Sequence, residues 1–114
     1  MRVPAVAIAS FVVAACMLAI PSARAADAQP APFDQADATA GKPLVEKDCV
    51  ACHARQMQGD ADRMYMRSNR RVHTPQQLLA QVSYCNTQLG TSYFPDDEAN
   101  VAAYLNTRYY RFKP

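Results

Sequence analysis

Two kinds of apolar pattern divide the chain. From Val3 to Ile20 apolar residues follow one another almost without a break, whereas beyond residue 37 they recur at helical spacing. Leu78, Val82, Cys85 and Leu89 stand at i, i+4, i+7 and i+11, which is one face of an α-helix. Thr74-Pro75 supplies an N-cap and a preorganised first turn for that helix, and Gly90 supplies its stop within a loop expected over Thr87 to Pro95. Asp96, Asp97 and Glu98 then put negative charge at the start of a final helix, where they cap rather than catalyse. The inward face of that helix is Val101, Tyr104 and Leu105. The stretch from Ala54 to Val72 is polar and irregular and predicts a loop. The pattern as a whole predicts helices without strands.

The continuous apolar run follows Met1-Arg2, breaks at Pro21 and is succeeded by Ala23-Arg24-Ala25 ahead of Ala26. A basic start, an apolar stretch and small residues at the exit predict an export signal cleaved after Ala25, and with it a periplasmic protein. Two rival readings stand beside it. The run has about the ~18 residues that an uncleaved anchor needs to span a bilayer, and Val13-Ala14-Ala15-Cys16 resembles a lipobox that would place a lipid on Cys16. The expected organisation is a signal peptide over 1–25, a flexible leader over 26–37 with Pro30 and Pro32 among small polar residues, and one domain over 38–114.

Composition narrows the partners. The chain has 114 residues, half of them apolar, enough for one small domain and no second. Without Arg2 and Arg24 its basic and acidic residues balance, so it offers no general attraction to nucleic acid. Membrane association is expected only if the signal stays uncleaved or Cys16 is lipidated. A chain this short also calls for a staple such as a disulfide, a metal or a cofactor.

The candidate staple is Cys49-Val50-Ala51-Cys52-His53, the C-x-x-C-H pattern of covalent c-type haem attachment. Thiols three positions apart on a helical turn project from one side and reach the two vinyl edges of a porphyrin, while the adjacent imidazole of His53 turns under the iron. A thioredoxin-like dithiol would need a strand-helix-strand setting that these flanks lack. A zinc site from Cys49, Cys52, His73 and Cys85 leaves His53 unexplained and has irregular spacing.

Residues Ala40-Gly41-Lys42-Pro43-Leu44-Val45-Glu46-Lys47, followed by the Cys49 to His53 motif, resemble the opening helix of small class I cytochromes c. Val101-Ala102-Ala103-Tyr104-Leu105 resembles their closing helix. The resemblance implies an all-α, cytochrome c-like domain of three to five helices around one haem c. It further implies attachment at Cys49 and Cys52, His53 as proximal ligand, a haem-edge loop over Ala54 to Val72, and a crossing of first and last helices at which Gly41 meets Tyr104. A glycine there lets two helix axes approach while a flat ring fills the crossing.

The chain departs from that family where the sixth iron ligand belongs. Thr87 to Pro95 contains no methionine, and no proline and glycine follow the motif to orient the imidazole through a backbone carbonyl. Cys85, an odd cysteine on an inward face, is the candidate distal ligand, with Met64 or Met66 as alternatives and an open site, His73 or Asn86 behind them. Met57 shares their stretch. The same segment carries Arg55, Arg63, Arg67, Arg70 and Arg71 against Asp60 and Asp62. Arg67, Arg70 and Arg71 are candidate contacts for haem propionates, against the plainer reading of a solvated face. Tyr109, Tyr110 and Phe112 are expected to pack back on the domain rather than form a docking patch. The function expected is a one-electron carrier, not an enzyme, working with a redox partner protein. The alternative is an open or Cys-ligated haem that binds a small ligand or takes part in sulfur redox chemistry.

Overall fold

The computed structural model describes residues 30–113, so the expected export signal, the expected cleavage after Ala25 and Cys16 lie outside the described residues. Among the described residues five α-helices follow one another: α1 (Ala38–Asp48), α2 (Val50–Gln56), α3 (Arg63–Met66), α4 (Pro75–Leu89) and α5 (Pro95–Leu105). A single π-helical turn, Asn106–Tyr110, continues α5. No strand occurs among the described residues, and none of their helices is long and apolar enough to cross a membrane.

The helix ends follow local chemistry. The Asp37 carboxylate accepts from the amides of Thr39 and Ala40 at 2.8 and 3.2 Å and starts α1. Thr74 accepts from Gln77 N at 3.2 Å, Pro75 occupies the first turn, and α4 ends at Gly90 with φ 63°. Asp97 accepts from Phe94 N at 3.1 Å and so caps α5. The expected loop at Thr87 to Pro95 is shorter than its sequence suggests, because α4 runs through Leu89 before glycine stops it.

Packing centres on α5, which crosses α1 and lies against α4. Val101, Ala102, Ala103 and Leu105 are buried there with Val45 of α1 and Leu78 and Val82 of α4. Gly41 is buried at the crossing, but the element it meets is the backbone of Asn100 and Val101. A β-carbon at Gly41 would lie 2.5 Å from the Asn100 carbonyl carbon and 2.9 Å from Val101 N. The glycine thus admits the backbone of α5 at close range, and Tyr104, one turn further along that helix, packs half-buried at the core's edge.

Three further expectations change. The leader over 26–37 is packed where it is described: Ala31 and Phe33 are buried, Asp34 N and Ala36 N close turns onto their carbonyls, and Asp37 N donates to Asn100 Oδ1 at 2.8 Å. Burial of an aromatic ring outweighs the turn-forming composition around it. The stretch from Ala54 to Val72 is not a continuous loop, since it holds the end of α2 and all of α3. Leu89 is 50% exposed on the last turn of α4, where it borders a cavity that Leu78, Val82 and Cys85 also line.

Candidate functional site

Cys49 sits at the junction of two helices, closing α1 and opening α2 with φ −106° and ψ −41°. Cys52 and His53 follow on the first turn of α2. All three line one cavity of about 470 Å³, within the range of small-molecule and cofactor sites. Val72, Leu78, Val82, Val101 and Leu105 form its apolar wall, and Arg67, Arg70, Arg71, Met64 and Cys85 border the same space.

The roof of the cavity is tied down by polar contacts. Asn86 donates to the Tyr93 carbonyl at 3.1 Å and to Glu98 Oε1 at 2.7 Å, while its Oδ1 accepts from Tyr93 N at 3.0 Å and Thr91 Oγ1 at 2.6 Å. Ser83 donates to the second Glu98 oxygen. The Tyr93 hydroxyl reaches α1, donating to Asp48 and lying 3.3 Å from the Leu44 carbonyl. The loop between α4 and α5 is therefore clamped at both ends.

Desolvation governs the titrating groups. Burial, with the Cys85 thiol, Asp48 and Cys52 adding to it, pushes the Cys49 thiol up to about 11. Burial and then the Arg67 guanidinium pull the His53 imidazole below its ordinary value. Burial likewise pushes the Tyr65 phenol strongly up. A thiol held protonated is the opposite of what a dithiol oxidoreductase needs, and with no strand nearby the thioredoxin-like alternative finds no support.

The structure sorts the residues expected from sequence. Cys49, Cys52, His53 and Cys85 come together around the cavity, as do Met64, Arg67, Arg70 and Arg71. Met66 does not: its side chain is 56% exposed, because α3 turns Met64 inward and Met66 out. His73 is exposed and borders no part of the cavity, so the Cys49, Cys52, His73, Cys85 zinc set is not assembled. No group of three His, Cys, Asp or Glu with metal-holding geometry occurs among the described residues. Asn86 borders the cavity, but both ends of its amide are spent on the roof.

The fit to a haem rests on the donors and walls present. Among the described residues the buried nitrogens without hydrogen-bond partners are His53 Nδ1 and Arg67 Nε, and both residues border the cavity. Arg67, Arg70 and Arg71 make no ion pair among the described residues, where the pairs are Lys42–Glu46 and Lys47–Asp48. Paired thiols, an imidazole, guanidinium groups outside any ion pair and an apolar wall around one space suit a flat apolar ring with carboxylate substituents.

Sequence reasoning missed Tyr65 and Tyr93. Tyr65 is buried in α3, its ring 5.0 Å from that of His53 and 4.6 Å from that of Tyr109. Only its apolar neighbours in a polar stretch hinted at burial. Tyr109, Tyr110 and Phe112 do pack back on the domain, with Asn106 clasping both main-chain groups of Phe112 at 2.8 and 3.1 Å.

The fold and cavity define a small all-helical protein with a cysteine- and histidine-lined pocket. No family model, curated protein or solved structure matches this chain.

Proposed function

We propose that this chain is an exported, periplasmic c-type cytochrome that carries one haem and acts as a one-electron carrier rather than an enzyme. The observation that carries the reading is the convergence of Cys49, Cys52 and His53 on one cavity of about 470 Å³, which Leu78, Val82, Val101 and Leu105 line with apolar side chains and Arg67, Arg70 and Arg71 border. Cys49 and Cys52 would hold the group covalently and His53 would ligate its iron, while Arg67, with its unpartnered Nε, and its neighbours Arg70 and Arg71 would face the propionates. Haem supplies a one-electron ferric/ferrous couple when bound. The residues of the chain supply the rest: Leu78, Val82, Val101 and Leu105 exclude water, and the Asn86, Glu98 and Tyr93 clamp keeps the walls from moving. Fixed apolar walls keep the rearrangement that accompanies a change of charge small.

A second reading is favoured by Cys85, which borders the same cavity and whose thiol acts on Cys49. In that reading Cys85, or failing it Met64, would ligate the iron opposite His53, or that site would stay open, and the protein would bind a small ligand or take part in sulfur redox chemistry.

Mass spectrometry of protein matured in a periplasm tests the main reading. The expected result is a chain that starts at Ala26 and carries one haem surviving denaturation. A mature chain with no added haem overturns it.

A further inference from the structure

The imidazole of His53 has no polar anchor. Its Nδ1 is buried without a hydrogen-bond partner, so nothing of that kind fixes the ring's rotation about its bond to Cβ. What the ring does touch is Tyr65, with centroids 5.0 Å apart and planes at 68°, an edge-to-face contact.

Tyr65 is in turn held from several directions. Its ring stacks on Tyr109 at 4.6 Å and 22°, and it meets Tyr110 edge-on at 6.2 Å and 71°. Its carbonyl accepts from Arg70 Nη1 at 3.2 Å, and the same guanidinium lies 5.1 Å from the Tyr110 ring centre. The Tyr109 hydroxyl donates to Asp62 at 2.6 Å, and Tyr110 stacks on Phe112 at 5.4 Å. The far end of this strap is closed by the Asn106 clasp on Phe112, across Arg111 at φ 55°.

We infer that Tyr65, braced by Tyr109, Tyr110 and Phe112, is a positioning residue that sets the plane of the His53 imidazole. The inference rests on the proposed role of His53 as a haem ligand. An imidazole whose Nδ1–H is hydrogen-bonded has its tautomer and plane fixed by that bond. Here the fixing falls to ring packing, and the last five residues of the described chain control the geometry of a ligand placed more than fifty positions earlier.

The imidazole plane, together with the orientation of any second ligand, sets the order of the four haem-methyl proton shifts in a ferric haem protein, so a change in that order with the second ligand unchanged in the visible spectrum is the readout. It is measured on the holoprotein and on Tyr65→Phe, Tyr65→Leu and Tyr109→Ser. Tyr65→Phe keeps the ring edge and is expected to keep the parental order. Tyr65→Leu and Tyr109→Ser are expected to change it, and Tyr109→Ser, which leaves Tyr65 in place, decides the question should Tyr65→Leu not fold. A purely structural role would lower the melting temperature and leave the order intact. An unchanged order in the variants that fold, or an altered one in Tyr65→Phe, overturns the inference. Intact mass on the same samples separates the two proposals: a haem-bearing parent with unmoved shifts removes this inference alone, whereas a parent without haem removes the functional reading and this one with it.

Discussion

Replacing Gly41 by alanine adds one methyl group to α1, and two opposed effects decide its sign. Helix propensity favours alanine by roughly 0.5–1 kcal/mol, because glycine loses more backbone freedom on folding. Against that, the new carbon overlaps the Asn100 carbonyl oxygen and lies 2.5 Å from the carbonyl carbon and 2.9 Å from Val101 N. These are backbone atoms of a capped helix, so no rotamer change relieves the overlap. Restoring a contact of ~3.5 Å requires the axes of α1 and α5 to part by about 1 Å. A gap of that size forfeits a quarter to a half of the dispersion between Val45 and the Val101–Leu105 face, and overpacking of this kind costs about 1–3 kcal/mol. The hydrogen bond from Asp37 N to Asn100 Oδ1, which spans the same crossing, is strained as well. The net expectation is a destabilisation of ~1–2 kcal/mol, read as a lower denaturation midpoint in urea followed by far-UV circular dichroism, with an unchanged slope. Gly90→Ala is the control, since a β-carbon there meets nothing within 4 Å and only its φ of 63° costs, by about 1 kcal/mol. A Gly41→Ala variant as stable as the parent would refute the close backbone crossing.

Other outcomes follow from the same geometry. Asn86→Ala leaves Tyr93 N and Glu98 Oε1 without their Asn86 partner and should cost about 1–3 kcal/mol in the same unfolding measurement, with faster proteolysis of the 90–94 loop. Burial and the hydrogen bond to Asp62 push the Tyr109 phenol up to about 12, whereas the unfolded phenol titrates near 10. Its contribution to stability is therefore complete below pH 10 and is lost as pH rises from there through about 12. Tyrosinate absorbance should then appear together with unfolding, and Tyr109→Phe should move the alkaline transition upward. Cys85→Ala separates the two functional readings. A ferric spectrum that turns high-spin and gains binding of added ligands supports a Cys85 thiolate on the iron, and an unchanged spectrum makes Cys85 a packing residue.

The sequence by itself determined the periodic parts of this protein and the local chemistry of its motif. The spacing of Leu78 and Val82, the Thr74-Pro75 cap and the Gly90 stop are short-range signals, and α4 has the bounds they imply apart from its last turn. The C-x-x-C-H run needs only one helical turn to put two thiols beside an imidazole, so its convergence was legible before any fold was known. What only the tertiary structure decided are contacts between residues far apart in the chain. Gly41 lies against the backbone of Asn100 and Val101 because the crossing angle and rise of two helices, which no local pattern encodes, select which atoms come closest. Phe33 was hidden in a proline-bearing stretch and is buried because it joins the core cluster that the packed helices form. Met64 faces the cavity and Met66 does not, a difference set by the register of a four-residue helix too short to show a period. Tyr65 reads as an aromatic in a polar segment, and its place between His53 and the C-terminal rings exists only once the chain has brought residues 53, 65 and 109 together, since ring packing acts over a few ångströms of space and has no signature along the sequence.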